Sequence, residues 1–248
     1  MSPDGSRVFV TGGRAAPLDS DPTHPDFVTI AYDPATGMRL WERRYPYLSK
    51  FYMGSTPVLA VSPDGTKVFV TGSITRTRLD FDYVTIAYDA LSGAKLWQRR
   101  YRGHGRSTEQ AFGVAVSPDG TKVAETGESD GDTSQIATVV EDAVGGKRLW
   151  VRRYAGAVEA HGYALAFAPS GSQLYVTGSS DSDYATIAYD TATGDQAWVR
   201  HYHSPYGASR AYSLAISPDG AAIYVTGLSQ GAGGAFDYDF ATIAYSTG

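Results

Sequence analysis

The chain has 248 residues, 42% of them apolar, enough to bury a sizeable core in one β-rich domain or two smaller ones. With 21 Lys and Arg against 26 Asp and Glu the net charge is −5, so no broad basic field exists to gather nucleic-acid phosphates. The absence of cysteine excludes disulfides, thiolate chemistry and cysteine-ligated zinc, the absence of asparagine excludes N-glycosylation, and no apolar run approaches the roughly 20 residues that span a bilayer.

The amino terminus, "MSPDGSRVFV", shows no basic segment followed by an apolar stretch. It does open a phrase that recurs. "SPDG" begins at Ser2, Ser62, Ser117 and Ser217, with a worn copy, "APSG", at Ala168. The turn residues Pro3, Pro63, Pro118, Pro169 and Pro218 are spaced by 60, 55, 51 and 49 residues, close to the period expected of a propeller. The units run approximately over 1–50, 51–105, 106–156, 157–205 and 206–248 of a single domain, 1–248.

In chain order, the first unit begins at its second strand. The second unit carries "SPDGTKVFVTGS" (62–73), in which Val68, Phe69 and Val70 are consecutive, the mark of a sheet covered on both faces. The fourth unit shows the third strand, "ATIAYD" (185–190), the turn "TATG" (191–194) and a fourth strand, "QAWVRHY" (196–202). The fifth supplies the inner strand "YSLAI" (212–216) and second strand "AIYVTG" (222–227), and stops at "ATIAYSTG" after its third. In both turns Pro presets φ, Asp bonds the local backbone and Gly takes a positive φ. Four short antiparallel strands per unit, apolar on both sides, predict an all-β propeller of about five blades with incomplete terminal blades and no helix of any length. The incomplete ends read either as a piece of a longer propeller, the preferred reading, or as a ring closed by unequal strands whose free edges pair with another copy.

"YDPATGMRLW" (32–41), "YDALSGAKLW" (88–97), "EDAVGGKRLW" (141–150) and "YDTATGDQAW" (189–198) resemble the tryptophan-bearing repeat of quinoprotein-like (PQQ-like) propellers, and "SPDGTKVFVTG" resembles the YVTN-type repeat of bacterial surface propellers. The resemblance covers essentially the whole chain and implies the propeller fold rather than an activity. Quinoprotein dehydrogenases are much longer, and those of the methanol-dehydrogenase type hold their cofactor against a vicinal cysteine pair. This chain has none, so no cofactor is expected.

Trp41, Trp97, Trp150 and Trp198 recur in the same strand of successive units, which predicts packing between blades rather than a cofactor cage. The arginines after them, in "RRY" (43–45, 99–101, 152–154) and "RHY" (200–202), are expected to discourage edge-to-edge pairing. Tight turns and long, dissimilar loops alternate, so recognition belongs on the variable-loop face. Counting back from each turn serine places Ser55, Gln110, His161 and Arg210 in one column at the mouth of the inner strands, beside Gly54, Glu109, Ala160 and Ser209. Ser55, Glu109, Gln110, Glu159, His161 and Arg210 are therefore the candidate ligand-binding residues, and Glu159 and His161, two apart, have the chemistry for acid–base work.

Asp26, Asp82, Asp183 and Asp239 precede the third strands, three of them in D-x-D pairs with Asp80, Asp181 and Asp237; capping of the loop backbone explains these better than calcium does. The third unit departs from its siblings. Glu125 stands where others have Val10, Val70, Val176 and Val225, Ala124 replaces an aromatic, and Glu141 replaces Tyr32, Tyr88, Tyr189 and Tyr245. Glu125 should lie between blades, paired with an arginine such as Arg99 or Arg152. "GLSQG" (227–231) matches G-x-S-x-G without the helix a nucleophile elbow needs, and His24, His104, His161, His201 and His203 lack paired metal-ligand spacing beyond "HYH".

These observations favour an exported, extracellular or periplasmic, noncatalytic binding or scaffold propeller that takes a small-molecule, glycan, peptide or protein ligand, with no metal, nucleic acid or membrane span. The competing class is a lyase or hydrolase working at the channel mouth with Glu159, His161 and Arg210, joined by Glu125 or Glu141.

Overall fold

A computed structural model describes residues 1–14, 26–46, 55–77, 80–103, 108–131, 133–234 and 237–247. All regular structure among them is strand, in five antiparallel meanders. The first blade has β1 (Val8–Arg14), β2 (Asp26–Tyr32) and β3 (Arg39–Pro46). The second has β4 (Val58–Val61), β5 (Lys67–Thr77), β6 (Asp80–Asp89) and β7 (Lys95–Tyr101); the third has β8 (Glu109–Val116), β9 (Lys122–Asp130), β10 (Ser134–Asp142) and β11 (Arg148–Ala155). The fourth has β12 (Ala160–Phe167), β13 (Gln173–Ser180), β14 (Asp183–Asp190) and β15 (Gln196–Tyr202), and the fifth β16 (Ser209–Ile216), β17 (Ala222–Gln230) and β18 (Tyr238–Ser246). The inner strands β4, β8, β12 and β16 lie side by side, as blades around an axis require.

The repeated turns set this geometry. Asp64 accepts hydrogen bonds from the Ser62 hydroxyl (2.5 Å) and the Thr66 N–H (3.0 Å), while Gly65 takes φ of +70° and donates to Ser62 O. Those bonds hold the carboxyls of Asp4, Asp64 and Asp119 down to about 2. A cross-strand threonine pair marks the register of each blade: Thr11–Thr29, Thr71–Thr85, Thr126–Thr138, Thr177–Thr186 and Thr226–Thr242 are all joined through their hydroxyls.

The core lies in slabs between successive blades. Trp41, Trp97 and Trp150 are buried there, and each indole N–H donates to a turn carbonyl of the next blade: Ala90 O, Ala143 O and Thr191 O, at 3.1, 3.2 and 3.1 Å. Each ring lies so close over Gly93, Gly146 or Gly194 that a Cβ there would meet it at 2.7 Å. The expected inter-blade role of the tryptophans is what these contacts describe.

The arginines two residues later require a correction. They do not guard an edge; they clamp the neighbouring blade. Arg43 donates to Gly93 O (2.7 Å) and Ser92 O (2.8 Å), Arg99 to Gly146 O and Gly145 O, Arg152 to Thr193 O, and Arg200 to Ser246 O. The planar guanidinium satisfies two turn carbonyls at once, which a lysine cannot reproduce. Arg43→Ala should cost about 1–2 kcal/mol, with Arg43→Lys recovering little of it, read from urea unfolding midpoints.

Glu125 and Glu141 do lie between the second and third blades, 3% and 1% exposed, but not as an Arg99 or Arg152 ion pair. Glu125 accepts from the Thr71 hydroxyl of the second blade at 3.2 Å, and Glu141 has Arg148 at 3.9 Å. Burial, then the charge of Glu141, pushes the Glu125 carboxyl well above its usual range; burial raises Glu141 to about 7, with Arg148 and Arg99 pulling the other way.

Among the described residues the first and fifth sheets share no packed interface.

Candidate functional site

The variable-loop ends of the inner strands are shaped by a bulge that repeats in three blades. The ladder skips at Phe112 in β8, Tyr163 in β12 and Tyr212 in β16, and each extra residue is aromatic. A bulge re-aims its side chain. The three rings form a continuous wall on the axial side, with centroids 5.6 Å apart for Phe112–Tyr163 and 5.2 Å for Tyr163–Tyr212. Tyr212, at the end of the wall, is 45% exposed.

A charged cluster rims it. His161 stacks on Tyr163 (6.2 Å, 21°) and is flanked by two carboxylates, Nδ1 lying 3.4 Å from Glu128 Oε2 and Nε2 3.7 Å from Glu159 Oε2. The bond to Glu128 raises the pKa of His161 against the effect of its own burial, with the charges of both glutamates adding to the rise. Burial works to raise Glu128, but the imidazole bond and charge outweigh it and hold that carboxyl low; burial and Glu128 together raise Asp130. Arg210 is exposed and close enough to act electrostatically on the Tyr163 hydroxyl.

The loop before His161 is fixed by the β13–β14 turn, where Asp181 and Ser182 both adopt positive φ, +50° and +77°. The Asp181 carboxylate accepts from the N–H groups of Ala157, Val158 and Glu159 at 2.5, 2.7 and 3.1 Å. Asp237 likewise accepts from Gly233 N, and Asp183 takes the ring of His203 at 2.7 Å. Asp181 and Asp237 thus take the backbone-capping role expected of the D-x-D aspartates, whereas Asp183 meets a side chain and the buried Asp82 lies 3.6 Å from Arg102 Nε.

Of the residues singled out from sequence, the structure brings Glu159 and His161 together and places Arg210 beside the aromatic wall, with Gln110 half-buried at the start of β8. Ser55 turns inward onto the Ser73 hydroxyl at 2.9 Å, and Glu109 is fully buried beside Ser129. Gly54, His24, His104 and the carboxylates of Asp26 and Asp80 lie outside the described residues. His201 and His203 go to separate partners, Tyr154 and Asp183. Sequence reasoning missed Glu128 and the three bulge aromatics. The signal for Glu128 was one more departure of the third unit, "TGES" where the second and fourth units have "TGS".

Among the described residues no group of three or more His, Asp or Glu is arranged to hold a metal ion, and no helix is long and apolar enough to cross a membrane. An anionic quinone cofactor does not fit this mouth either: Glu128, Asp130 and Glu159 crowd it with carboxylates, against Arg210 and His161.

Five radially packed four-stranded meanders, two of them one strand short, define a β-propeller. Residues 82–237 match the family model described as outer membrane protein assembly factor BamB, and the chain belongs to that PQQ-like family. No curated protein matches the sequence. Among solved structures, Kuenenia stuttgartiensis hydrazine synthase is similar over 92% of this chain and 61% of its own, with a TM-score of 0.65 and 16% identity. Dihydro-heme d1 dehydrogenase NirN in complex with DHE is similar over 93% of this chain and 41% of its own (TM-score 0.54, 17% identity). A structure described as the eukaryotic initiation factor is similar over 94% and 54% respectively (TM-score 0.51, 11% identity). The chain thus spans less than two thirds of each, and at such identities the likeness is one of fold.

Proposed function

We propose that the protein is a noncatalytic binding propeller that holds a carbohydrate or peptide segment at the variable-loop mouth of its axis. One observation supports this above the rest: a continuous aromatic wall, Phe112–Tyr163–Tyr212, ending beside the exposed cation of Arg210 and the imidazole of His161. Rings offer flat apolar faces to sugar C–H groups or side chains, and the charged rim orients the polar groups that remain. Membership of a family whose model is described as an outer membrane assembly factor favours work outside the cytoplasm.

The test is a glycan and peptide binding screen with the intact chain, repeated with Tyr212→Ala and Arg210→Ala. Both residues are exposed, so neither change should disturb folding. Each should weaken the ligand found at least about tenfold. Unchanged binding by both variants would place recognition elsewhere. The clamped pair His161–Glu159 supports a second reading, an acid–base lyase or hydrolase, in which His161→Gln abolishes turnover while leaving ligand binding in place.

A further inference from the structure

The charges around the mouth of the axis are unevenly distributed. On the side of the third blade stand Glu128 and Asp130 of β9, with Glu159, in the loop before β12, facing Glu128 across His161. Glu128 accepts from the Ser134 hydroxyl at 3.0 Å; burial and then the charge of Glu128 raise Asp130. Among the described residues the His161 imidazole is the basic group within ion-pair reach of this cluster, so at most one positive charge answers three carboxylates.

Arg210 is the opposite case. It holds in β16 the place that His161 holds in β12. His161 reaches Glu128 of the preceding blade and Glu159 two residues before it; at the matching places Arg210 has Ser179 and Ala208. Among the described residues no carboxylate comes within ion-pair distance of its guanidinium. Tyr163, the middle ring of the wall, stands between the two. Burial raises its hydroxyl most, and beyond that the charge of Arg210 lowers it while that of Glu128 raises it.

Resting on the reading of the wall as a binding surface, we propose that its ligand is a peptide segment carrying both charges. A lysine or arginine side chain sits among Glu128, Asp130 and Glu159, a carboxylate sits on Arg210, and apolar side chains lie on Phe112, Tyr163 and Tyr212 between them. Each charge of such a ligand answers one that the protein leaves unmatched, which is how charged rims select their partners. A neutral or acidic glycan offers nothing to the three carboxylates and loses that selection. Neighbouring rings are 5.6 and 5.2 Å apart, and an extended chain advances about 3.3 Å per residue, so about three residues cover the wall between the two charges.

The test is calorimetric titration of the intact chain with acetyl-Lys-Ala-Leu-Ala-Asp-amide, with the same residues in reverse order, and with a neutral control bearing Gln and Asn at the charged ends. At least one charged order should bind with a Kd on the order of 100 µM, and the neutral peptide about tenfold more weakly or worse. Arg210→Glu should weaken the charged peptide by about tenfold or more, and replacing the peptide's Asp by Lys should restore affinity. Glu159→Lys should be rescued in the same way by a peptide with Glu in place of its Lys. Arg210 is exposed and Glu159 half-exposed, so both variants should melt as the wild type does; should one melt early, Arg210→Ala or Glu159→Gln replaces it and the loss alone is read. Equal binding of neutral and charged peptides, variants that keep wild-type affinity, or failure of both charged peptides to bind at about 1 mM would each overturn the proposal. If a glycan then binds and loses affinity in Tyr212→Ala, the wall stands as a binding surface and only the peptide falls; if every ligand found ignores Tyr212→Ala, both fall.

Discussion

Trp150→Ala is expected to lower stability by roughly 3–5 kcal/mol, the range for emptying a buried aromatic site. The indole fills the junction between the third and fourth blades, packs 5.8 Å from Tyr189 and lies directly over Gly194. Its removal leaves a void bounded by backbone, which cannot collapse, and strands Thr191 O without its donor. A chain of this size should lose on the order of 10 °C in Tm, read by calorimetry or near-ultraviolet circular dichroism. Trp150→Phe separates the two contributions, keeping much of the ring contact while losing the hydrogen bond, and should cost about 1–2 kcal/mol. Trp198→Ala should fall well below Trp150→Ala, because that indole N–H has no partner among the described residues and the ring is only partly buried. Equal losses at Trp150 and Trp198 would mean that the junctions do not carry stability in the way their contacts imply.

What was legible in the chain divides along the range of the interactions involved. The "SPDG" turns, and the "TATG" turn with Asp190 before it, announce themselves because Asp and Gly, with Pro in the first, act on backbone within a few residues, and the strands follow from β-branched and aromatic runs between them. The tryptophan spacing carried the blade junctions because it repeats. Arg43 was misread because its acceptors, Ser92 O and Gly93 O, are about 50 residues away and are backbone atoms that no side-chain pattern advertises. The bulge aromatics were hidden for a different reason. A bulge shifts register without changing composition, so Tyr163 and Tyr212 read as ordinary members of an alternating strand. Glu128 was visible only as a substitution whose partner, His161, belongs to the next blade.

Glu125 and Glu141 should make the protein less stable as the solution becomes more alkaline, the reverse of the usual behaviour of carboxylates. An unfolded glutamate loses its proton near 4.5, whereas in the folded chain Glu141 does so at about 7 and burial holds the Glu125 carboxyl well above its usual range. Below the unfolded value both are neutral in either state and the burial penalty is absent. Between about 4.5 and about 7 the folded state holds protons that the unfolded state has released, so unfolding becomes easier with each unit of pH. For Glu141 alone the loss amounts to something on the order of 3 kcal/mol by pH 8. The turn aspartates do not blur this window, because carboxyls held down to about 2 lose their contribution only as pH falls below 3.8. His161 acts in the same direction, its stabilisation fading as pH rises through a value above 6.5, so the diagnostic comparison is between wild type and Glu125→Gln/Glu141→Gln. Urea unfolding from pH 5 to 8.5 should show wild-type stability falling across the range and the double variant much flatter, with the two curves separating most above pH 7. Glu125→Val, which restores the residue of the four sister blades, should also gain stability at pH 8 while leaving Glu141 beside Arg148. Wild-type stability that rises with pH between 5 and 8, or a double variant with the same slope, would show that both carboxylates are already ionised and satisfied between the blades.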